Sequence, residues 1–477
     1  MKKYSRRMVN KSYFLGLFFL MIFLFGVSGW PKSLRAADYY VDNTCGYNGN
    51  GTSQTCAAGP GQPGPFNSLA NAQSGLTGSQ AGNRLLFKAG ETFTGQYTVR
   101  AYGTSGHPFT ISSYGTGAKP IINGNGTSPY GVISITNLNY ITINGLALTN
   151  GSMGVWIYCT SSTTSTSSIN ISNCYIYGCP GTGICQSNDS GSRADMSGST
   201  WSNNEITGSC AAIYIHRTNG ITMSYNKIHD NGTTQYEPYG IAVEAGSNLI
   251  IHDNLIVNQL AAGIGIYGDT GSDGPSNDNQ VYRNIIYGTY KGSTGWSRDI
   301  TWQGTWGGTG NIVWGNILIS TDSSIAHMED DNSSGSGNLF YNNVCANGPM
   351  GMQLSGSSWF VNNNIFYNVS TPISGRSVSG SKNISYPNAG TVPGASTSNP
   401  LFTNPAVGWT GYTLQAGSPA IGAGANLGSP YNLILDPTNL TWPPATADEN
   451  TYGWTIGAFV YRTGGAPAPP TNLRIVN

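Results

Sequence analysis

The chain has 477 residues, 21 Lys and Arg against 21 Asp and Glu, and 9% charged side chains. With 66 Gly, 24 Pro, 28 Tyr, 14 Phe and 11 Trp it is neither low-complexity nor disordered. Strong helix formers are scarce while Asn, Gly, Ser, Thr, Ile and Tyr are abundant, which excludes a fold of long helices. In chain order, residues 1–37 read first as an export signal. Lys2, Lys3, Arg6, Arg7 and Lys11 precede an apolar run from Phe14 to Val27, and the small pair Ala36 and Ala37 follows. A retained membrane anchor is the competing reading of the same run. Ser5-Arg6-Arg7 with Lys11 is also similar to a twin-arginine signal, which leaves the export route open. The leader holds 7 of the basic residues and none of the acidic ones, so a mature chain carries 14 against 21, a net charge of −7. That sign gives no electrostatic footprint for nucleic acid. The expected location is secreted, periplasmic or cell-surface, with no membrane contact after cleavage.

Export permits disulfides. Cys45 and Cys56 flank a Gly/Asn-rich loop and are expected to pair. Cys159, Cys174, Cys179, Cys185 and Cys210 are expected to add one or two bridges or else to stay as buried thiols.

The centre of the chain repeats itself. Asn204, Asn226, Asn254, Asn284, Asn316, Asn343 and Asn364 are each followed closely by apolar residues, at intervals of 21 to 32. Upstream of most lies a strand signal: Ala212-Ile-Tyr-Ile-His216, Gly240-Ile-Ala-Val-Glu244 and Gly263-Ile-Gly-Ile-Tyr267. Short period-2 strands recurring this way, punctuated by Gly and Asn, predict a β-solenoid. One coil has too few apolar residues to close a core, so stacked coils must bury them jointly. The recurring Asn is expected to bond to turn backbone and to the Asn one coil away.

This pattern resembles the right-handed parallel β-helix proteins, the superfamily of pectate-lyase-like folds, across most of residues 38–460. Tyr39-Tyr40-Val41-Asp42 through Pro65-Phe66-Asn67-Ser68-Leu69 is similar to that family's N-terminal cap with a short helix. Phe87 to Phe93, Ile111 to Gly115 and Lys119 to Ile122 look like its first coils. Asn399-Pro400-Leu401-Phe402 and Ala416 to Ile421 resemble its closing segment. The resemblance implies an all-β, single-domain parallel β-helix over 38–463 with an N-terminal capping helix. Residues 464–477, with Pro467, Pro469 and Pro470, read as an extended tail. One fold of this kind hosts lyases, hydrolases, epimerases and binding proteins, so activity must be argued from a site.

Between Asp189 and Asp331 lie 15 of the 21 acids, together with His216, His229, His252 and His327. Long loops on middle coils account for such a concentration without any function; long loops on a rigid scaffold are also where sites are built. The repeat aligns His216, Glu244 and Tyr267 in one outward column beside inward Ile215, Val243 and Ile266, with Gln303 continuing it. The preceding outward column is Tyr214, Ala242, Gly265 and Thr301, small at its middle. A solvated ladder of polar side chains is the bland account of the same pattern. The functional account is proton chemistry: His or Tyr as acid or base, with a carboxylate to orient the His.

Arg217, Arg283 and Arg298 are candidates to neutralise a substrate carboxylate, and Asp253 with Arg283 reads as a structural ion pair. Tyr236, Tyr239, Tyr290, Trp296, Trp302 and Trp306 are candidate sugar-packing surfaces, with Asn and Asp side chains reading hydroxyls. Glu329, Asp330 and Asp331, or the Asp269/Asp273 loop, are candidate Ca²⁺ ligands. Glu244 and Asp269 are the pair whose spacing suits a glycosidase, which needs carboxylates about 5–9.5 Å apart. No P-loop, dinucleotide fingerprint, H-E-x-x-H or G-x-S-x-G occurs. The expected function is therefore a lyase or epimerase on an acidic polysaccharide, with a glycoside hydrolase or a non-catalytic carbohydrate-binding protein as alternatives. A monomer is expected.

Overall fold

The computed structural model describes residues 36–126, 130–160, 166–188, 193–232, 238–268, 274–290, 292, 297–304, 308–320, 322, 325–332 and 334–462. The predicted leader and Pro-rich tail lie outside them, apart from Ala36 and Ala37.

Every coil follows one plan. Tyr239–Ser247, Ile250–His252 and Leu255–Val257 lie on three successive faces, and Ala262–Tyr267, Gln280–Tyr282 and Ile285–Tyr287 repeat the path one coil on. All three pairs are parallel and in register. Alternation sends Ile241, Val243, Ile264 and Ile266 inward, where each is fully buried. These residues continue one hydrophobic core from Val41 at the end of the first strand to Val392 in the last coils. Burial of both β-branched and aromatic side chains from many coils supplies what no single coil has.

The sharp corner between the second and third faces explains the recurring Asn. Asn203, Tyr225, Asp253, Arg283, Asn342 and Asn363 each take a positive φ of 52–59°. The left-handed residue turns the chain, and the ladder Asn that follows satisfies the backbone groups the turn leaves over. Asn226 donates from Nδ2 to Trp201 O at 2.9 Å and to Asn254 Oδ1 at 3.0 Å. The same bond runs unbroken from Asn204 through Asn364 to Asn383, the last rung lying beyond the seven legible in the sequence. A second, shorter ladder of Asn279, Asn311 and Asn338 stands at another corner, and the Asn spacing alone does not single it out.

The N-terminal end is closed as expected. Asp38–Val41 pairs in parallel with Arg84–Lys88. The helix α1, Leu69–Gly75, buries Leu69 and Ala72, and the Ser68 hydroxyl caps it by accepting from the Asn71 N–H at 3.3 Å. Cys45 and Cys56 are bridged. Of the two expectations for the cysteine cluster, buried thiols hold and further bridges do not. Cys159, Cys174 and Cys179 sit in the core, Cys185 and Cys210 are buried, and no second disulfide forms among the described residues. At the other end the chain folds back along the outside of the third face. Phe402, Trp409, Tyr412, Leu435 and Phe459 cover an outward row of Leu255, Ile285, Ile317, Val344 and Ile365.

Candidate functional site: an outward column on the first face

Seven strands of the first face build the site: β1 (Met153–Cys159), β2 (Thr182–Asn188), β3 (Ala211–Ser224), β4 (Tyr239–Ser247), β5 (Ala262–Tyr267), β6 (Ser297–Gln303) and β7 (Ile325–Asp330). His216 pairs with Glu244, Glu244 with Tyr267, and Tyr267 with Gln303. All four are half-buried on the outer surface. Neighbouring strands of a sheet lie about 4.8 Å apart, so the column spans about 14 Å. Beside it run Tyr214, Ala242, Gly265, Thr301 and Glu329, also in register.

The small floor lets an aromatic side chain settle on it. Tyr267 folds back over Gly265, where a Cβ would stand 2.8 Å from its hydroxyl and 3.2 Å from the Tyr239 ring. The Tyr239 and Tyr267 rings lie 5.7 Å apart. The Tyr267 hydroxyl is buried and has no hydrogen-bond partner among the described residues. From the other side Tyr214 donates to Glu244 Oε2 at 2.5 Å, fixing that carboxylate. The floor is thus walled by Tyr214, Tyr239 and Tyr267, with the carboxylate of Glu244 and the imidazole of His216 along one edge.

Farther along the same face, Glu329 takes the Arg298 guanidinium at 2.6 Å, Thr301 Oγ1 at 3.1 Å and Gln303 Nε2 at 3.3 Å. Gln353 Oε1 accepts from Arg298 as well, at 3.2 Å. Arg298 and Glu329 therefore form one charge-compensated knot at the upper end of the site. Arg217 follows His216 at a positive φ of 53°.

Several sequence assignments are corrected. Trp302 faces inward, 1% exposed, against Trp359 at 5.6 Å; it pairs with Ile266, and alternation gives both the core side. The three acids proposed for Ca²⁺ do not converge. Glu329 points out into the knot, whereas Asp330 points in and accepts from the Trp359 Nε1 at 2.7 Å. Asp331 lies past the strand end and accepts from the Gly304 N–H at 3.1 Å. Burial raises the Asp330 carboxyl above its ordinary range. Arg283 belongs to the corner pair with Asp253, at 2.6 Å, away from the column. Tyr236, Asp269, Asp273, Trp296 and Trp306 lie outside the described residues. Tyr290 is exposed at a corner, beyond the column.

His327 is part of the fold rather than the groove. At the corner that opens the first face, Gly240 and Gly263 are followed on later coils by Asp299 and His327, both fully buried. His327 Nδ1 lies 2.6 Å from Asp299 Oδ2, and its Nε2 donates to Asn347 O at 2.6 Å. Thr289 Oγ1 donates to the other Asp299 oxygen at 2.7 Å. Each member of the pair thus satisfies the other inside the core.

A family model described as "Right handed beta helix region" matches residues 109–301. The chain is a right-handed parallel β-helix. Solved structures similar to it include a complex of XylC with xylose, at 13% identity over 76% of this chain and 87% of that one, TM-score 0.54. Pectate lyase Pel9A aligns at 13% identity over 90% of this chain and 98% of its own, TM-score 0.48. A GH136 lacto-N-biosidase from Eubacterium ramulus aligns at 13% identity over 73% and 67%, TM-score 0.46. No curated protein matches the sequence. At 13% identity the likeness is one of fold alone.

Proposed function

We propose that this β-helix acts on an acidic polysaccharide as a lyase or C–H epimerase, with His216, Glu244 and Tyr267 as its catalytic residues. One observation carries the reading: an imidazole, a fixed carboxylate and a desolvated phenol stand in register along a floor of Ala242 and Gly265. Removal of a proton beside a sugar carboxylate needs a base on one side and a donor on the other. In this reading His216 accepts the proton. Tyr267, whose hydroxyl lacks a partner among the described residues, in the same reading gives one to the leaving oxygen, or to the opposite face of the carbon in an epimerisation. Glu244, held by Tyr214, stands one rung from His216 and stabilises the imidazolium formed when the proton is taken. Arg217 supplies positive charge near the substrate carboxylate; Arg298 is already compensated by Glu329, and Tyr239, 5% exposed, packs against the floor instead of facing a sugar.

In elimination the C–H electron pair forms the new double bond as the glycosidic C–O bond breaks, so the product carries a double bond conjugated to its carboxylate and absorbs in the ultraviolet where the intact polymer does not. Wild-type protein incubated with a panel of uronate polysaccharides is expected to release absorbing product or, as an epimerase, to exchange the C–H hydrogen with D₂O. His216→Ala and Tyr267→Phe are each expected to lower turnover by about 10²–10⁴-fold with the melting midpoint unchanged. Full activity in both variants rejects the assignment. Reducing ends without absorbance point instead to hydrolysis, and binding without either product to a non-catalytic module. Ca²⁺ dependence is part of the proposal: a chelator is expected to lower activity or melting temperature, and no change on chelation rejects it.

A further inference from the structure

Two coils before His216, the same outward columns carry a feature that the catalytic reading does not use. In β1, Val155 and Ile157 point into the core while Trp156 and Tyr158 point out. Trp156 stacks on Tyr158 at 4.8 Å and 19°, and on Tyr130 at 4.9 Å and 25°. Tyr130 is 48% exposed, and both β1 rings are half-buried. The indole N–H donates to Ser187 Oγ on β2 at 3.0 Å. Its polar edge is thereby tied to the next coil, which fixes the orientation of the ring. Three parallel rings outside the core, anchored in this way, form a patch of aromatic surface whose exposure the fold does not require.

Register decides what the patch faces. Trp156 pairs with Cys185 and Cys185 with Tyr214; Tyr158 pairs with Ser187. Between the rings and the catalytic coil there is thus one rung of small side chains. Glu244 is three rungs from the strand of Trp156, about 14 Å along the axis. A linear glycan lying over Glu244 and running parallel to the axis passes over His216 and Tyr214, crosses the small rung, and reaches the aromatic patch.

We propose that Tyr130, Trp156 and Tyr158 form a distal subsite that packs against the apolar face of one pyranose unit of the same polysaccharide. The inference rests on the carbohydrate reading above and adds a direction: the chain extends from the catalytic coil toward the N-terminal cap. Ring packing on a sugar face needs no charge, so this subsite contributes to affinity for long chains and not to the proton transfer.

The test separates the two readings. Wild-type protein, Trp156→Ala and Tyr130→Ala are run through native gels containing uronate polysaccharides, and binding is read as retardation. Trp156→Ala is expected to weaken binding at least about fivefold and Tyr130→Ala to do so less. In turnover, Trp156→Ala is expected to raise KM on polymer with kcat unchanged, and to leave trimer or shorter substrates unaffected. Wild-type retardation in both aromatic variants overturns the subsite and leaves the catalytic proposal standing. Lost retardation with no turnover by wild type supports the subsite and rejects the catalytic column. Wild-type protein that no polysaccharide retards overturns both.

Discussion

Gly265 shows how one missing side chain shapes the site. A Cβ there would meet the Tyr267 hydroxyl at 2.8 Å, closer than real Cβ atoms come. The obstacle is the far end of a side chain, so the fold can adapt but the phenol must swing away from the floor. Gly265→Ala is therefore expected to cut turnover strongly, by about tenfold or more, with little change in melting midpoint. Unchanged kinetics would remove Tyr267 from the proposed catalytic residues. The residue scale is only partly legible in the sequence. That His216 and Glu244 share a column follows from a gapless repeat, and Tyr267 joins it through the matching Gly-Ile-Gly-Ile strand signal one coil on. The tie between Tyr214 and Glu244 crosses one coil diagonally, and no spacing rule reports a diagonal contact. Trp302 shows the opposite failure: residue type alone suggests a sugar platform, although its strand parity two places after Ile300 already points it inward.

At the scale of the element, the Asn ladder does for the corner what a capping residue does for a helix end. Asn284 accepts from the Asn254 N–H at 3.1 Å and donates to Ile251 O and Asn316 Oδ1 at 2.9 and 3.1 Å. It also accepts from Asn254 Nδ2 at 2.9 Å. Removing the amide strands several buried groups, each costing about 1–3 kcal/mol. Asn284→Ala is expected to lower unfolding stability by at least about 3 kcal/mol, read as the urea midpoint. A loss below about 1 kcal/mol would mean that water fills the rung. This ladder is legible in the chain because the Asn recurs over many coils. Asn279, Asn311 and Asn338 recur over only three, followed by the dissimilar Gln280, Ile312 and Leu339, too short a run to stand out as a period.

At the scale of the molecule, the closing segment is held to the coils by burial and by polar ties, among them Asn363 with Ala425, Asn342 with Tyr431 and Asn342 with Glu449. Glu449, fully buried, accepts from Asn342 Nδ2 at 3.2 Å and from the Thr455 N–H at 2.7 Å. Desolvation outweighs both bonds and pushes its carboxyl from 4.5 up to about 8. The folded state therefore holds the proton more tightly than the unfolded chain. Its contribution to stability is full below the ordinary value of 4.5, declines through the window above it, and is gone beyond about 8. Glu449→Gln is expected to flatten the fall of melting temperature across that window. Parallel curves for the two proteins would show that the group is solvated.

The sequence by itself determined the solenoid, the corner Asn, the ion pair of Asp253 with Arg283, the bridge of Cys45 with Cys56 and the register of His216, Glu244 and Tyr267. Each follows from periodicity or from nearness along the chain or the repeat, and a parallel stack converts a repeat directly into neighbours. Only the tertiary structure decided that Asp330 turns inward while Glu329 joins Arg298, that Asp299 and His327 close a hydrogen-bonded pair inside the core, and that Tyr130, Trp156 and Tyr158 assemble outside it. Those outcomes depend on where side chains go once the coils are stacked, and side-chain packing between coils leaves no period in the chain.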